Sequence, residues 1–126
     1  MIKFSTTWKS SNKPKKQRKY RTNAPLHIKG KFLHAHLSEQ LSKRYGRRTI
    51  RVRKGDKVKI MTGQFKEKSG KVEQVMTKEG KLFVTGIEIQ KKDGTKTKYP
   101  IAASNVMITD IDLNDKKRQE KLKRKA

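Results

Sequence analysis

No cysteine occurs in the chain, so a disulfide framework and thiolate metal sites are both excluded. Acidic residues are scarce: 11 Asp and Glu stand against 35 Lys and Arg, a formal net charge of +24. Hydrophobic residues make up 31% of the chain, too few to bury all of it evenly, so part is expected to be tail that a partner orders. No apolar run approaches the length that spans a bilayer. Residues 1–8 (MIKFSTTW) hold no hydrophobic signal core, which points to a cytosolic or nuclear compartment.

What the chain has is positive charge, far more than solubility requires. Such a field condenses onto polyanions, and nucleic acid, an anionic membrane surface and an acidic protein are the natural ones. Three zones differ in composition. Residues 1–50 carry no acidic residue before Glu39. Lys13, Lys15, Lys16, Arg18, Lys19 and Arg21 repel one another, so residues 1–22 are expected to form an extended arm. Asn23 is placed to cap a helix opening at Ala24 and Pro25, with Leu26, Phe32, Leu33 and Leu37 as a loose helical stripe. Ser38, Glu39 and Gly46 mark the cap, first turn and end of a second short helix.

Residues 51–111 alternate apolar and polar positions, with frequent turn signals. Lys57–Met61 places Val58 and Ile60 on one face of a strand. Gly63 to Gly70 is a loop, and Lys71–Thr77 is a strand whose imperfect alternation predicts a bulge or bend. A turn at Lys78-Glu79-Gly80 precedes Lys81–Gln90, the longest strand candidate. Asp93-Gly94 is a hairpin signal, Pro100 ends a strand over Lys96–Ile101 or marks it as an edge, and Val106 and Ile108 mark one near 105–110. Five short strands in this span predict a mainly β fold, a small bent barrel. Residues 112–126 form a basic tail expected to become helical only on a partner, with Asn114 and Asp115 as start residues and Glu120 placed to pair with Arg124.

The most specific motif is residues 54–76, KGDKVKIMTGQFKEKSGKVEQVM. Gly63 and Gly70 permit sharp turns and close approach of a phosphate or ribose, while Lys66, Lys68 and Lys71 supply charge. Phe65 can anchor the loop in the core or stack on a base, and the core role is favoured. The segment resembles a KOW motif. The resemblance extends through Arg21-Thr22-Asn23-Ala24-Pro25-Leu26-His27-Ile28, Leu37–Leu41 with Arg44-Tyr45, Ile50–Asp56, Asp93-Gly94 and Ser104–Thr109. Together these are similar to the single-KOW ribosomal protein of the large subunit, numbered twenty-four in bacteria and twenty-six in eukaryotes, in its archaeal and eukaryotic branch. That family implies an SH3-like barrel, binding to the 5′ domain of large-subunit rRNA near the polypeptide exit tunnel, and a role in subunit assembly. Neighbouring large-subunit proteins are the implied protein partners. One departure stands out: Glu67 occupies a position where many members carry glycine, and its carboxylate weakens the local field.

The residues expected to meet rRNA fall in three groups. In the arm they are Lys13, Lys15, Lys16, Arg18, Lys19, Tyr20 and Arg21, with Trp8 and Tyr20 as stacking surfaces; His27 and Lys29 follow. RNA threading is preferred over a membrane patch or a solvated tail, and a nuclear import signal is compatible with it. At the joint between arm and barrel stand Arg44, Arg47, Arg48, Arg51, Arg53 and Lys54, where planar guanidinium forks suit phosphate. In the barrel loop they are Gly63, Lys66, Lys68 and Lys71.

His34-x-His36 lacks cysteine or carboxylate neighbours, so no metal site is expected. Asp56, Asp110 and Asp112 have turn-like settings, no nucleophile elbow or phosphate loop occurs, and no cofactor or small-molecule substrate is expected. A transcription elongation factor module of KOW type is the main alternative, but nothing here supplies the further domains such factors carry. A membrane-surface protein would need an amphipathic aromatic face, which residues 112–126 lack.

Overall fold

The computed structural model describes residues 3–124. Its strands are β1 (His34–Leu37), β2 (Thr49–Arg51), β3 (Lys57–Ile60), β4 (Ser69–Met76), β5 (Lys81–Val84), β6 (Glu88–Gln90), β7 (Lys96–Lys98), β8 (Ile101–Ala102) and β9 (Val106–Asp110). Its helices are α1 (Pro14–Asn23), α2 (Leu26–Lys29), α3 (Glu39–Tyr45) and α4 (Lys116–Lys123).

The alternation in Lys57-Val58-Lys59-Ile60 builds β3, with Val58 and Ile60 buried and Lys57 exposed. It pairs antiparallel with β4 on one side and β9 on the other. A register shift between Val72 and Gln74 is the expected bulge, and it bends β4 across to β5. The result is a mainly β molecule built on a seven-stranded sheet, in the order β2-β1-β9-β3-β4-β5-β8. The β6–β7 pair is a separate ribbon, turned by Asp93-Gly94, where Asp93 Oδ1 accepts from the amide and hydroxyl of Thr95.

Several expectations need correction. More strands form than the five expected, because residues read as helical join the sheet. Leu33 is buried ahead of β1, and Ala35 and Leu37 are buried within it at strand spacing, while Leu26 is exposed. β1 runs parallel to β9 and antiparallel to β2, so the sheet crosses position 50 without a break. The long strand over Lys81–Gln90 divides at Gly86, whose φ of +84° turns the chain between β5 and β6. Asn23 caps nothing: it closes α1, its amide donates to the Lys3 carbonyl at 3.0 Å, and Pro25 opens α2. The helix at Ser38 forms as expected, with Ser38 Oγ accepting from Leu41 N and Gly46 left-handed at φ +62°.

The arm is helical over α1 instead of extended. A short 3₁₀ turn at Thr6–Ser10 folds back on α1, and the Gln17 amide donates to the carbonyls of Lys9 (3.0 Å) and Ser11 (2.6 Å). Between them Phe4, Trp8, Tyr20 and Phe32 form a second apolar cluster with Ala24 and Ile28. Burial of these rings opposes the like-charge repulsion of the arm, whose Lys13, Lys15, Arg18 and Lys19 stay exposed.

The tail also departs from expectation. Asp115 caps α4 as its position suggested, accepting from Lys117 N at 3.0 Å. The helix packs on the sheet without a partner, with Leu122 buried in the main core beside Leu33 and Ile50. The pairing of Glu120 with Arg124 does not occur among the described residues. Ala126 and residues 1 and 2 lie outside the described residues. The deeper anchor is Arg118, whose Nη1 and Nη2 donate to Asp56 Oδ1 and Oδ2, both at 2.6 Å, with both side chains buried. Asp56 also accepts from Arg53 N and Asp112 N, each at 3.0 Å. Removing one partner leaves the other charge buried and alone. Arg118→Ala is expected to lower unfolding free energy by roughly 3–5 kcal/mol in urea titration. A loss below about 1 kcal/mol, the level of an exposed pair, would show that this pair does not anchor α4 to the sheet.

Candidate nucleic-acid interface

Three shallow depressions share residues and form one band across the molecule. The first is lined by His27, Gly30, Lys31, His34, Arg51 and Lys121. The second takes Arg51 again, with Arg53, Lys54 and Thr77. The third takes Lys54 again, with Lys71, Lys98, Glu73 and Asp112. β2 and the turn after it thus carry cations from α2 to the edge of β4. Only the first part of the band is free of a carboxylate partner among the described residues: Glu73 pairs with Lys98 at 2.9 Å in the third, and Arg53 in the second is tied to Asp115.

The field in the first depression is legible in His34. Burial holds its pKa below the ordinary 6.5, and Lys121, Arg51 and Lys31 push it the same way. Among the described residues none of those three cations is in an ion pair. His36, two positions on along β1, is exposed.

Of the residues expected to meet RNA, the structure brings His27, Arg51, Arg53, Lys54 and Lys71 into the band. Arg21 and Lys29 meet Lys78 and Lys81 in another depression, where the arm abuts the β4–β5 turn. Lys13, Lys15, Arg18 and Lys19 lie along the arm, and Lys16 lies 5.4 Å over the Trp8 ring. Lys66 and Lys68 stay exposed on the loop, whose turn at Gly63 has φ +92°. Phe65 is buried against Tyr99 with ring centroids 5.1 Å apart, the core role favoured from sequence. Arg44 lies over Tyr45 and is exposed, as is Arg48.

Two expected contacts turn inward. Tyr20 is buried against Phe4 and Phe32, so its ring has no free face for a base, and Trp8 is partly covered in the same cluster. Arg47 Nη2 donates to the carbonyls of Lys121 (2.6 Å) and Arg124 (2.9 Å), capping the C-terminal end of α4. The first leaves no trace in a sequence pattern, which counts aromatics without their partners. The second joins residues more than 70 positions apart. Lys121 and Lys31 were missed for the same reason, since charge alone does not separate them from other lysines. Glu67, the departure from the family pattern, has φ +73°, the conformation glycine favours. Its carboxylate neutralises Lys59 at 2.9 Å, and its pKa is lowered chiefly by that hydrogen bond.

A family model described as ribosomal proteins L26 of eukaryotes and L24 of archaea matches residues 11–125. The chain belongs to this family. It is similar to the large ribosomal subunit protein uL24 of Methanospirillum hungatei, 48% identical over 112 residues, covering 89% of this chain and 93% of that one. The uL24 of Methanosarcina barkeri is 48% identical over 114 residues, covering 90% and 98%. That of Methanocella arvoryzae is 46% identical over 116 residues, covering 92% and 94%. Membership spans the arm, the sheet and α4 together.

Three variants separate these roles. Arg48→Ala is expected to reduce the salt slope of RNA binding by about 0.7–0.9, one phosphate contact. Arg47→Ala is expected to leave that slope unchanged and to speed amide exchange in α4; the reverse pattern would place Arg47 on RNA. Because His34 is depressed, the unfolded chain takes up its proton first, so stability is full above 6.5 and falls as pH drops through it. Urea midpoints at about pH 5 and about pH 8 should therefore differ more for the parent chain than for His34→Gln. Equal differences would mean that neither burial nor the three cations shift His34.

Proposed function

We propose that the chain is a structural constituent of the large ribosomal subunit, docking on the 5′ domain of its rRNA near the polypeptide exit tunnel and supporting assembly. The observation that carries this is the run of cations along β2 and the turn after it, in a chain of the uL24 family. Relatives matched across arm, sheet and tail are named as large-subunit proteins. The arm acts through α1 and α2, and β1, β2 and α4 belong to the body, since they share its sheet and core.

Recognition is electrostatic and shape-based. Lysines and arginines neutralise phosphates and release counterions, while the deep, narrow major groove of A-form RNA keeps base edges out of reach. The α1 lysines and Arg18, backed by the aromatic cluster, present charge on a preformed helix, which lowers the ordering cost of binding. Lys66, Lys68 and Lys71 extend the contact from the loop. The bent sheet, with its bulge in β4 and one apolar cluster inside, supports an SH3-like barrel. No catalytic step is assigned: the buried carboxylate, Asp56, is fully engaged by Arg118 and two backbone amides. Its partners are rRNA and neighbouring proteins of the subunit, and its place is the cytoplasmic ribosome.

Gradient sedimentation of a native lysate tests this. The protein is expected with the large subunit after a moderate salt wash, and its rRNA binding should show a log–log salt slope on the order of −5 or steeper. Recovery only in light fractions with RNA polymerase would overturn it in favour of an elongation factor module.

A further inference from the structure

The first depression of the band holds more than charge. Arg51 lies flat over Gly30: a Cβ at that glycine would stand 2.7 Å from Nη1, 3.0 Å from Cζ and 3.2 Å from Nη2. Those atoms are the nearest to that position, so the missing side chain is what lets the guanidinium rest there. Arg51 is exposed, and among the described residues its fork meets no hydrogen-bond acceptor and no carboxylate, so its donors are open to an incoming group. Lys31 and Lys121 flank it, His27 and His34 close the rim, and these side chains come from separate elements. Lys121 is there only because α4 is docked, with Arg47 capping its end.

We propose that this depression is a single-phosphate socket for the RNA backbone, with Arg51 as the two-point fork, Lys31 and Lys121 as flanking charges and His34 at its rim. Guanidinium geometry matches two phosphate oxygens, which a lysine in the same place does not. This rests on the RNA reading above and adds where one backbone phosphate is fixed and which glycine makes room for it. Gly30 is right-handed, at φ −60° and ψ −27°, so alanine fits its backbone and acts only by displacing the fork.

Arg51→Lys and Gly30→Ala test it, because both keep the net charge of +24 and any change cannot come from bulk electrostatics. Full-length protein is titrated with a large-subunit rRNA transcript, and the His34 imidazole is followed by NMR. Each variant is expected to bind about tenfold or more weakly than the parent. In the parent, RNA is expected to raise the His34 pKa as phosphate cancels the field, and inorganic phosphate at matched ionic strength is expected to do so only weakly. Parent-like affinity in both variants, with the parent binding RNA, overturns the socket while leaving the RNA function standing. Parent-like affinity in Arg51→Lys alone overturns the fork. An equal response of His34 to inorganic phosphate overturns the RNA-backbone assignment and makes the depression a free-anion site. Failure of the parent to bind the transcript removes the RNA function itself.

Discussion

One buried ion pair fixes the rest of the molecule. Asp56 and Arg118 are both withdrawn from water, and burying two such charges is costly unless every hydrogen bond is made. Here most are. The carboxylate accepts from the guanidinium and from two backbone amides, and the guanidinium donates further to the carbonyls of Arg51 and Asp112, each at 3.1 Å. Arg118 Nε is left buried without a partner among the described residues. The pair stitches α4 to the turn before β3 and to the end of β2. Once α4 is held there, Leu122 seals the core, Lys121 reaches the depression beside Gly30, and the helix end meets Arg47.

Charge is distributed by the same fold. Exposed carboxylates at Glu67, Glu73 and Asp115 each sit against one cation, with pKa values lowered mainly by hydrogen bonds from Lys59, Lys98 and Arg53 respectively. They quiet the loop, the β4 edge and the start of α4. The region around Arg51 has no such partner among the described residues, so the field there stays open. A net charge of this size would have suited a diffuse coat. The acids subtract locally, and the cations around Arg51 are left unopposed among the described residues.

Much of this was legible in the sequence, for identifiable reasons. β3, β9, the bulge in β4, the Asp93-Gly94 hairpin and the Ser38–Gly46 helix depend on neighbours within a few residues, and period and turn chemistry report those. β1 was misread because His34-Ala35-His36-Leu37 is a short run beside helical residues; its parallel pairing with β9 comes from far along the chain. The arm was misread because its charge is contiguous in sequence, whereas the rings that outweigh it, Phe4, Trp8, Tyr20 and Phe32, are scattered. For the site, residue type pointed to a polyanionic partner, and Arg51, Arg53 and Lys54 were anticipated in the band. Arg47 and Tyr20 could not be told from their neighbours, since whether a polar head or a ring faces inward is decided by tertiary contacts.

Asp56 and Arg118 are 62 residues apart in the chain, and that separation sets an order of events. A chain grown from its N-terminus lays down Asp56 long before its counter-ion exists. Until residue 118 is added, the carboxylate is better off hydrated, which opposes closure of the turn ahead of β3. The aromatic cluster has no such wait, because Phe4 through Phe32 emerge together. The arm therefore forms early, and the body is sealed late, by a helix rich in lysine.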